Sequence, residues 1–86
     1  MLKEHTKEDT AMWKRGTLRH EGRIYKYWMK VYPEGSIYGI NEGRISKLCM
    51  KRDGLEVCNY DRGWNIYPID YIDLEAVQIL YFAEEN

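Results

Sequence analysis

Short segments of alternating apolar and polar residues make up most of the chain. Between residues 12 and 66 these segments are rich in Tyr, Val, Ile and Trp, as β-strands are. A polar residue followed by glycine, typical of a tight turn, separates them at Glu21-Gly22, Glu34-Gly35, Glu42-Gly43, Asp53-Gly54 and Asp61-Arg62-Gly63. The pattern predicts a meander of hairpins with four or five antiparallel strands.

After Pro68 the pattern changes to that of a helix. Asp70 offers an N-cap, and apolar residues recur at helical spacing in the following run LEAVQILYFAEEN. We therefore predict a helix over about 71–84, packed on one face of a curled antiparallel sheet, in a single α+β domain spanning 11–86. Residues 1–10 are predicted to be a flexible polar tail.

The first hairpin separates its residues into two unlike faces. With Glu21-Gly22 as a two-residue turn, Arg15 lies opposite Trp28 and Trp13 lies opposite Lys30. One face is apolar and is expected to pack under the helix: Met12, Leu18, Tyr25, Tyr27, Met29 and Val31. The other is cationic and aromatic and contains no acid: Trp13, Arg15, Thr17, Arg19, Ile24, Lys26, Trp28 and Lys30.

The cationic face predicts a binding surface. Basic residues interleaved with flat rings suit a ligand that offers both phosphate and bases. We predict that an anionic ligand, nucleic acid or nucleotide-like, is bound by Trp13, Arg15, Arg19, Lys26, Trp28 and Lys30. Two other interpretations remain open: an exposed face whose rings are shielded by basic side chains, and a homodimer interface.

Three further basic residues are candidates for a second contribution to that surface: Arg44, Lys47 and Arg62. Strand alternation places Arg44 and Lys47 on opposite faces, so at most one of them joins the cationic face. Arg62 lies in a turn in which we expect Gly63 to supply a positive φ. Its alternative role is an ion pair with a nearby acid such as Asp61.

The second hairpin has Asp53-Gly54 as its turn. A two-residue turn there opposes Lys51 to Glu56, Met50 to Val57, Cys49 to Cys58 and Lys47 to Tyr60. We nevertheless expect buried, reduced thiols rather than a disulfide or a metal site. The two cysteines lack matching His or acidic ligands, and a cytoplasmic chain keeps its thiols reduced.

The run PEGSIYGINEGRISKL at 33–48 contains two Glu-Gly pairs eight residues apart. It lacks the strand–loop–helix context of a phosphate loop. We interpret it as two successive turns, each launching a short strand, with Gly39 marking a bend between them.

Charge is distributed unevenly along the chain. Residues 12–52 carry ten Lys and Arg against three acids, whereas residues 53–86 carry one basic residue against eight acids. The first part therefore either binds an anionic partner or is neutralised by the second part within one domain. Opposite charges on the two halves also suit contact between copies, so a homo-oligomer is possible.

Other functional classes lack support in the sequence. There is no P-loop, no dinucleotide pattern and no nucleophile with a histidine partner, so we expect a non-enzymatic protein without a cofactor. The apolar runs are too short to span a bilayer, and the N-terminus lacks a signal-peptide core. We therefore expect a cytoplasmic protein.

Two motifs, SIYGINEGRISKL and YDRGW, precede a Pro and an acidic C-terminal helix. Together they resemble a family of small uncharacterised proteins from bacteriophages and mobile elements of Gram-positive bacteria. The resemblance covers roughly residues 13–70 and assigns no site residue. It implies an accessory factor. The competing hypothesis is a protein–protein inhibitor or adaptor, such as a host-defence antagonist, that presents the acidic end of its helix.

Overall fold

The computed structural model describes residues 11–85, which form an open antiparallel sheet with one helix across one face. Neighbouring strands follow chain order: β1 (Met12–His20), β2 (Arg23–Val31), β3 (Ile45–Arg52), β4 (Leu55–Asp61) and β5 (Trp64–Ile66). Helix α1 (Tyr71–Glu85) closes the domain. The predicted α+β meander is confirmed, with five strands. The predicted tail, 1–10, lies outside the described residues.

Two-residue turns connect the strands of the hairpins β1–β2 and β3–β4. Both central residues of each turn have left-handed backbone: φ is 52° at Glu21 and 76° at Gly22, then 55° at Asp53 and 77° at Gly54. Such a turn has the twist of the strands it joins. The register predicted for the first hairpin is confirmed along the whole of β1.

A β-bulge changes the register of the second hairpin. Lys51 faces Glu56 as predicted. Val57 is then an extra residue on β4, so every pair farther from the turn is shifted by one residue. Cys49 therefore faces Asn59, and the prediction that it faces Cys58 is wrong. Cys49 lies half-buried outside the core and Cys58 lies within the core, both as free thiols.

The loop between β2 and β3 differs from the prediction. It contains one 3-10 turn, Ile40–Glu42, and only its second Glu-Gly pair leads into a strand. Left-handed φ values fall on Asn41 (52°) and Glu42 (59°). The glycines instead allow backbone segments to approach, since a Cβ at Gly39 would overlap the carbonyl of Gly43. The loop is folded on itself and adds no strand.

The core lies between α1 and the face of the sheet that α1 covers. Ala76, Val77 and Leu80 of the helix are buried there. Their partners in the sheet are the buried apolar residues Tyr25, Met29, Val31, Ile45, Leu48, Met50, Val57, Cys58 and Tyr60. Met12 was expected to pack under the helix but is 57% exposed, because it begins an edge strand with a neighbour on one side only.

We predict that Gly39→Ala destabilises the fold by about 1–3 kcal/mol, because the added methyl group overlaps backbone that has no room to move. Gly63→Ala is the matched control, since a Cβ there meets nothing within 4 Å. Urea unfolding of both variants measures the difference. Equal stability of the two variants would contradict the close packing of the loop.

Candidate functional site

The sheet has one face covered by α1, here called the helix-side face, and one uncovered face. We define the open face as the outward residues of β1–β3: Trp13, Arg15, Thr17, Arg19, Ile24, Lys26, Trp28, Lys30, Lys47, Cys49 and Lys51. Strand alternation and the pairing of β1, β2 and β3 bring them to one side. The structure thus assembles all six primary candidate residues and adds two lysines from β3.

Trp28 occupies the middle of the open face. Across the three strands it shares a row with Arg15 and Cys49. The flanking rows are Trp13, Lys30 and Lys47 on one side and Thr17, Lys26 and Lys51 on the other. Both rings are therefore bordered by cations.

Two pairs of lysines on the open face are directly opposed across β2 and β3. Lys30 faces Lys47, and Lys26 faces Lys51. Like charges in directly opposed positions destabilise a sheet. The opposed lysines therefore do not stabilise the sheet, and sheet stability does not explain why lysine occupies these positions.

The lysines approach the tryptophan rings closely enough for cation–π contact. The Nζ atoms of Lys30 and Lys47 lie 5.6 and 6.0 Å from the ring centre of Trp13, and that of Lys51 lies 5.7 Å from Trp28. Trp13 nevertheless keeps 62% of its surface exposed. Trp13 is thus bordered by ammonium groups and exposed, whereas Trp28 is partly buried.

Acidic residues appear on the outward side of the sheet at β4, beside the open face. Asp61 lies opposite Lys47, with 3.9 Å between its Oδ1 and the Lys47 Nζ. Glu56 accepts hydrogen bonds from Cys49 (2.9 Å) and Asn59 (3.0 Å). The strongly basic area is therefore limited to β1–β3.

Basic residues on the helix-side face behave differently, because carboxylates of α1 neutralise them. Lys14 Nζ lies 2.9 Å from Glu84 Oε1 near the end of the helix. Arg44 donates to the Glu84 carbonyl, and its backbone N–H donates to Glu85. Two more, Arg23 and Arg52, bind Asp73. Neutralisation within the domain, one of the two interpretations of the charge asymmetry, therefore accounts for these four cations.

Asp73 forms the most extensive of these contacts, and its role was missed from the sequence. Its side chain is buried and accepts hydrogen bonds from Tyr25 (2.5 Å), from Arg23 (2.9 Å) and from Nε and Nη2 of Arg52 (3.0 and 2.9 Å). Burial alone would raise the pKa of Asp73, but bonds from Arg52, Tyr25 and Arg23 outweigh it and lower that pKa. The sequence places Asp73 only in the first turn of the helix, and the N-cap is Asp70, which accepts a hydrogen bond from the Ile72 N–H.

The three secondary candidates end in three different places. Lys47 joins the open face, whereas Arg44 lies on the helix-side face, bound to the end of α1. Arg62 is 67% exposed in the turn before β5, with its Nε 3.8 Å from Asp61 Oδ1. Its φ is 59°, so the expectation that Gly63 supplies the positive φ is wrong. Lys51 was missing from the predicted binding residues. It lies four residues after Lys47 on β3, so strand alternation places both on the same face.

A smaller polar group joins the first turn to the helix. Potential ligand atoms of His20, Glu21 and Glu75 lie within 4.8 Å of one another. His20 Nε2 is 2.8 Å from Glu75 Oε1, so two of the three already satisfy each other as part of the contact between β1 and α1.

Comparison with known proteins finds a family that matches most of the chain. Residues 12–84 match DUF7678, a domain of unknown function. The chain belongs to this family. An uncharacterised family is thereby confirmed, and the match extends past the motifs through almost all of α1. Neither the curated proteins nor the solved structures contain a match to the chain. No helix within 11–85 is long and apolar enough to cross a membrane.

We predict that Asp73→Asn destabilises this DUF7678 domain by about 3–5 kcal/mol at neutral pH, because it leaves two guanidinium groups without their shared carboxylate. The folded-state pKa of Asp73 is lowered, so its contribution is complete above the unfolded pKa of about 3.9. The contribution is lost as the pH falls through the lower folded-state value. Urea unfolding from pH 7 to pH 2 should show a constant difference between wild type and variant that narrows only below about pH 4. A difference that narrows between pH 7 and pH 5 would contradict this assignment.

The cysteines should react slowly with alkylating agents. Burial, followed by the hydrogen bond to Glu56, raises the pKa of Cys49 to about 11, and burial raises that of Cys58 to about 12. Glu56→Gln should lower the pKa of Cys49 and speed its alkylation severalfold at pH 8, as followed by mass spectrometry. Asp61→Asn removes another β4 carboxylate without touching Cys49 and should leave the rate unchanged. Equal rates in both variants would rule out control by Glu56.

Proposed function

We propose that the protein is a small non-enzymatic binding protein that captures an anionic ligand, a nucleic acid or nucleotide, on its open face. The observation that supports this most strongly is the unequal treatment of its cations. On the helix-side face, Lys14, Arg23, Arg44 and Arg52 are neutralised by the helix. On the open face, six cations share three strands with no acid: Arg15, Arg19, Lys26, Lys30, Lys47 and Lys51.

The acids beside the open face lie on β4, where Asp61 faces Lys47 and Glu56 faces Lys51. Among residues 11–85, no carboxylate forms a salt bridge with Arg15, Arg19 or Lys26. An anion bound here would relieve the repulsion between the opposed lysines and release counterions if it were a polyphosphate chain. Accessible tryptophan rings add a surface on which bases stack.

A symmetric homodimer through the open face is disfavoured by the same charges. An isologous contact brings the same patch of each copy together, so six cations would face six cations. Like-charge contact across an interface costs several kcal/mol. An anionic ligand therefore accounts for the exposed rings and the cations together, whereas a second copy accounts for the rings alone.

The biological setting belongs to the same proposal. An accessory factor of a bacteriophage or mobile element, acting on nucleic acid or a nucleotide signal in the host cytoplasm, fits a small domain with one charged binding face. The family match, to a domain of unknown function, leaves that setting open.

Charge reversal at Lys26 tests the proposal because stability and binding should change in opposite directions. Lys26→Glu converts the repulsive pair with Lys51 into an attractive one, so stability should rise by about 0.2–1 kcal/mol in urea unfolding. Affinity for a fluorescein-labelled oligonucleotide, measured at about 0.15 M salt, should fall by about tenfold or more, because repulsion replaces a phosphate contact. The readout is fluorescence anisotropy.

Arg62→Glu is the matched control, since it makes the same charge change on an exposed residue outside the open face. Its affinity should stay within about twofold of wild type, because the long-range effect of net charge is screened by salt. Unchanged binding in the double variant Arg15→Glu/Lys26→Glu would overturn the proposal.

The second candidate is a protein–protein inhibitor or adaptor, such as a host-defence antagonist. An aromatic series at the β5 edge favours it: Tyr60, Trp64 and Tyr67 are in edge-to-face contact, with ring centres 5.0 and 4.9 Å apart. Ile69 beside them is fully exposed. The acidic end of the helix gives this candidate less support, because Glu84 already contacts Lys14 and Glu85 already contacts the backbone of Arg44. Partner capture from nuclease-treated host lysate that is lost in Tyr67→Ala would favour this candidate.

A further inference from the structure

We infer that the ligand of the open face is a single-stranded nucleic acid lying along β1–β3. This inference rests on the proposed function and specifies its ligand class. It follows from three features of the open face: its lack of enclosure around the rings, its width and the spacing of its tryptophans.

Within residues 11–85, the rings of Trp13 and Trp28 lie outside two cavities of the size that holds a small molecule. One cavity of about 280 Å³ lies on the helix side, lined by Lys14, Tyr32, Arg44 and other residues. A second, of about 270 Å³, lies beside the two hairpin turns. Neither Trp13 nor Trp28 lines either of them. Small-molecule sites bury most of their ligand, so a mononucleotide on the open face would remain largely in water.

The width of the sheet disfavours a duplex ligand. Five strands spaced about 4.8 Å apart span roughly 19 Å, wider than the major groove of about 12 Å. A sheet of this width would therefore reach only the backbone of a duplex. In a duplex the bases are stacked on one another, so the tryptophan rings would have no free base on which to stack.

The two rings are spaced for neighbouring bases. Trp13 on β1 lies opposite Lys30, and Trp28 is two residues from Lys30 on β2, so the rings are diagonal neighbours. Diagonal positions across two strands are about 7–8 Å apart. A strand with splayed bases can place consecutive bases on such a pair of rings, as flat sheets with exposed aromatic residues do when they bind single-stranded RNA.

Cations beside the rings suit the phosphates that accompany those bases. Lys30 and Lys47 lie near the Trp13 ring, and Lys51 lies near the Trp28 ring. A base can stack on the side of the ring that no ammonium group covers, or it can displace an ammonium group from the ring. A displaced ammonium can then pair with the adjacent phosphate, so stacking and charge neutralisation occur together.

The basic area also sets the length of the site. From Trp13 to Arg19 it extends six residues along the strands, about 20 Å, and β1 to β3 spans about 10 Å. The acids Glu56 and Asp61 of β4 limit it on one side. An area this narrow follows the strands and fits about four nucleotides, the low end of single-strand site sizes.

Fluorescence anisotropy with labelled oligothymidylates of two to twelve nucleotides tests this site on the full chain. Affinity should rise steeply up to about four nucleotides and then increase only slowly. The logarithm of affinity should fall with the logarithm of salt with a slope of about −3, as expected for four phosphates of a single strand. Oligouridylate of equal length separates preference for RNA from preference for DNA.

Tryptophan variants separate stacking from charge. Trp13→Leu and Trp28→Leu should each weaken oligothymidylate binding by about 5- to 150-fold, while binding of inorganic polyphosphate changes little. Trp64→Leu, which removes the third tryptophan at the β5 edge, is the control and should bind as wild type does. Circular dichroism confirms that each variant is folded.

The outcomes distinguish this inference from the proposed function. Equal affinity for oligothymidylate, its duplex and polyphosphate, unaffected by the tryptophan variants, would overturn the single-strand inference and leave anion binding intact. A preference for a mononucleotide over the oligonucleotide would have the same consequence. Absence of binding to every anionic probe would overturn both.

Discussion

The buried carboxylate of Asp73 is the contact on which the remaining structure depends. It joins the first turn of α1 to β2 through Arg23 and Tyr25 and to β3 through Arg52. Hydrogen bonds to a charged acceptor are stronger than neutral ones, and removing one member of a buried ionic group is costly. The helix is therefore held in one position over the sheet, with its apolar residues on the core.

Helix docking also determines which basic residues of the sheet contact carboxylates of α1. With Asp73 in place, Glu84 reaches Lys14 at the other end of α1, and Glu85 reaches the backbone of Arg44. The acidic half of the chain thus neutralises the basic residues of the helix-side face, whereas the open face carries six cations and no acid on its three strands. One fold converts a nearly neutral sequence into a domain with a strongly cationic surface.

Local patterns in the sequence predict most of this architecture but not its long-range contacts. Two-residue turns and strand alternation are local properties, so the first hairpin and the cationic side of β1 and β2 follow directly from the residues. The bulge at Val57 and the approach of Gly39 to Gly43 involve residues close in the chain, but turn residues and strand alternation specify neither of them. Burial of Asp73 depends on two arginines and a tyrosine from other strands, and no local signal separates it from an ordinary helix-start acid.

The three tryptophan indoles report directly on whether an anionic ligand binds to the cationic open face. In an NMR titration of the ¹⁵N-labelled protein with tetrathymidylate, we expect the indole N–H signals of Trp13 and Trp28 to shift and that of Trp64 to stay in place. The backbone amides of α1 should also remain unperturbed. Shifts at Trp64 and along α1, with Trp13 and Trp28 unchanged, would contradict the assignment of binding to the open face.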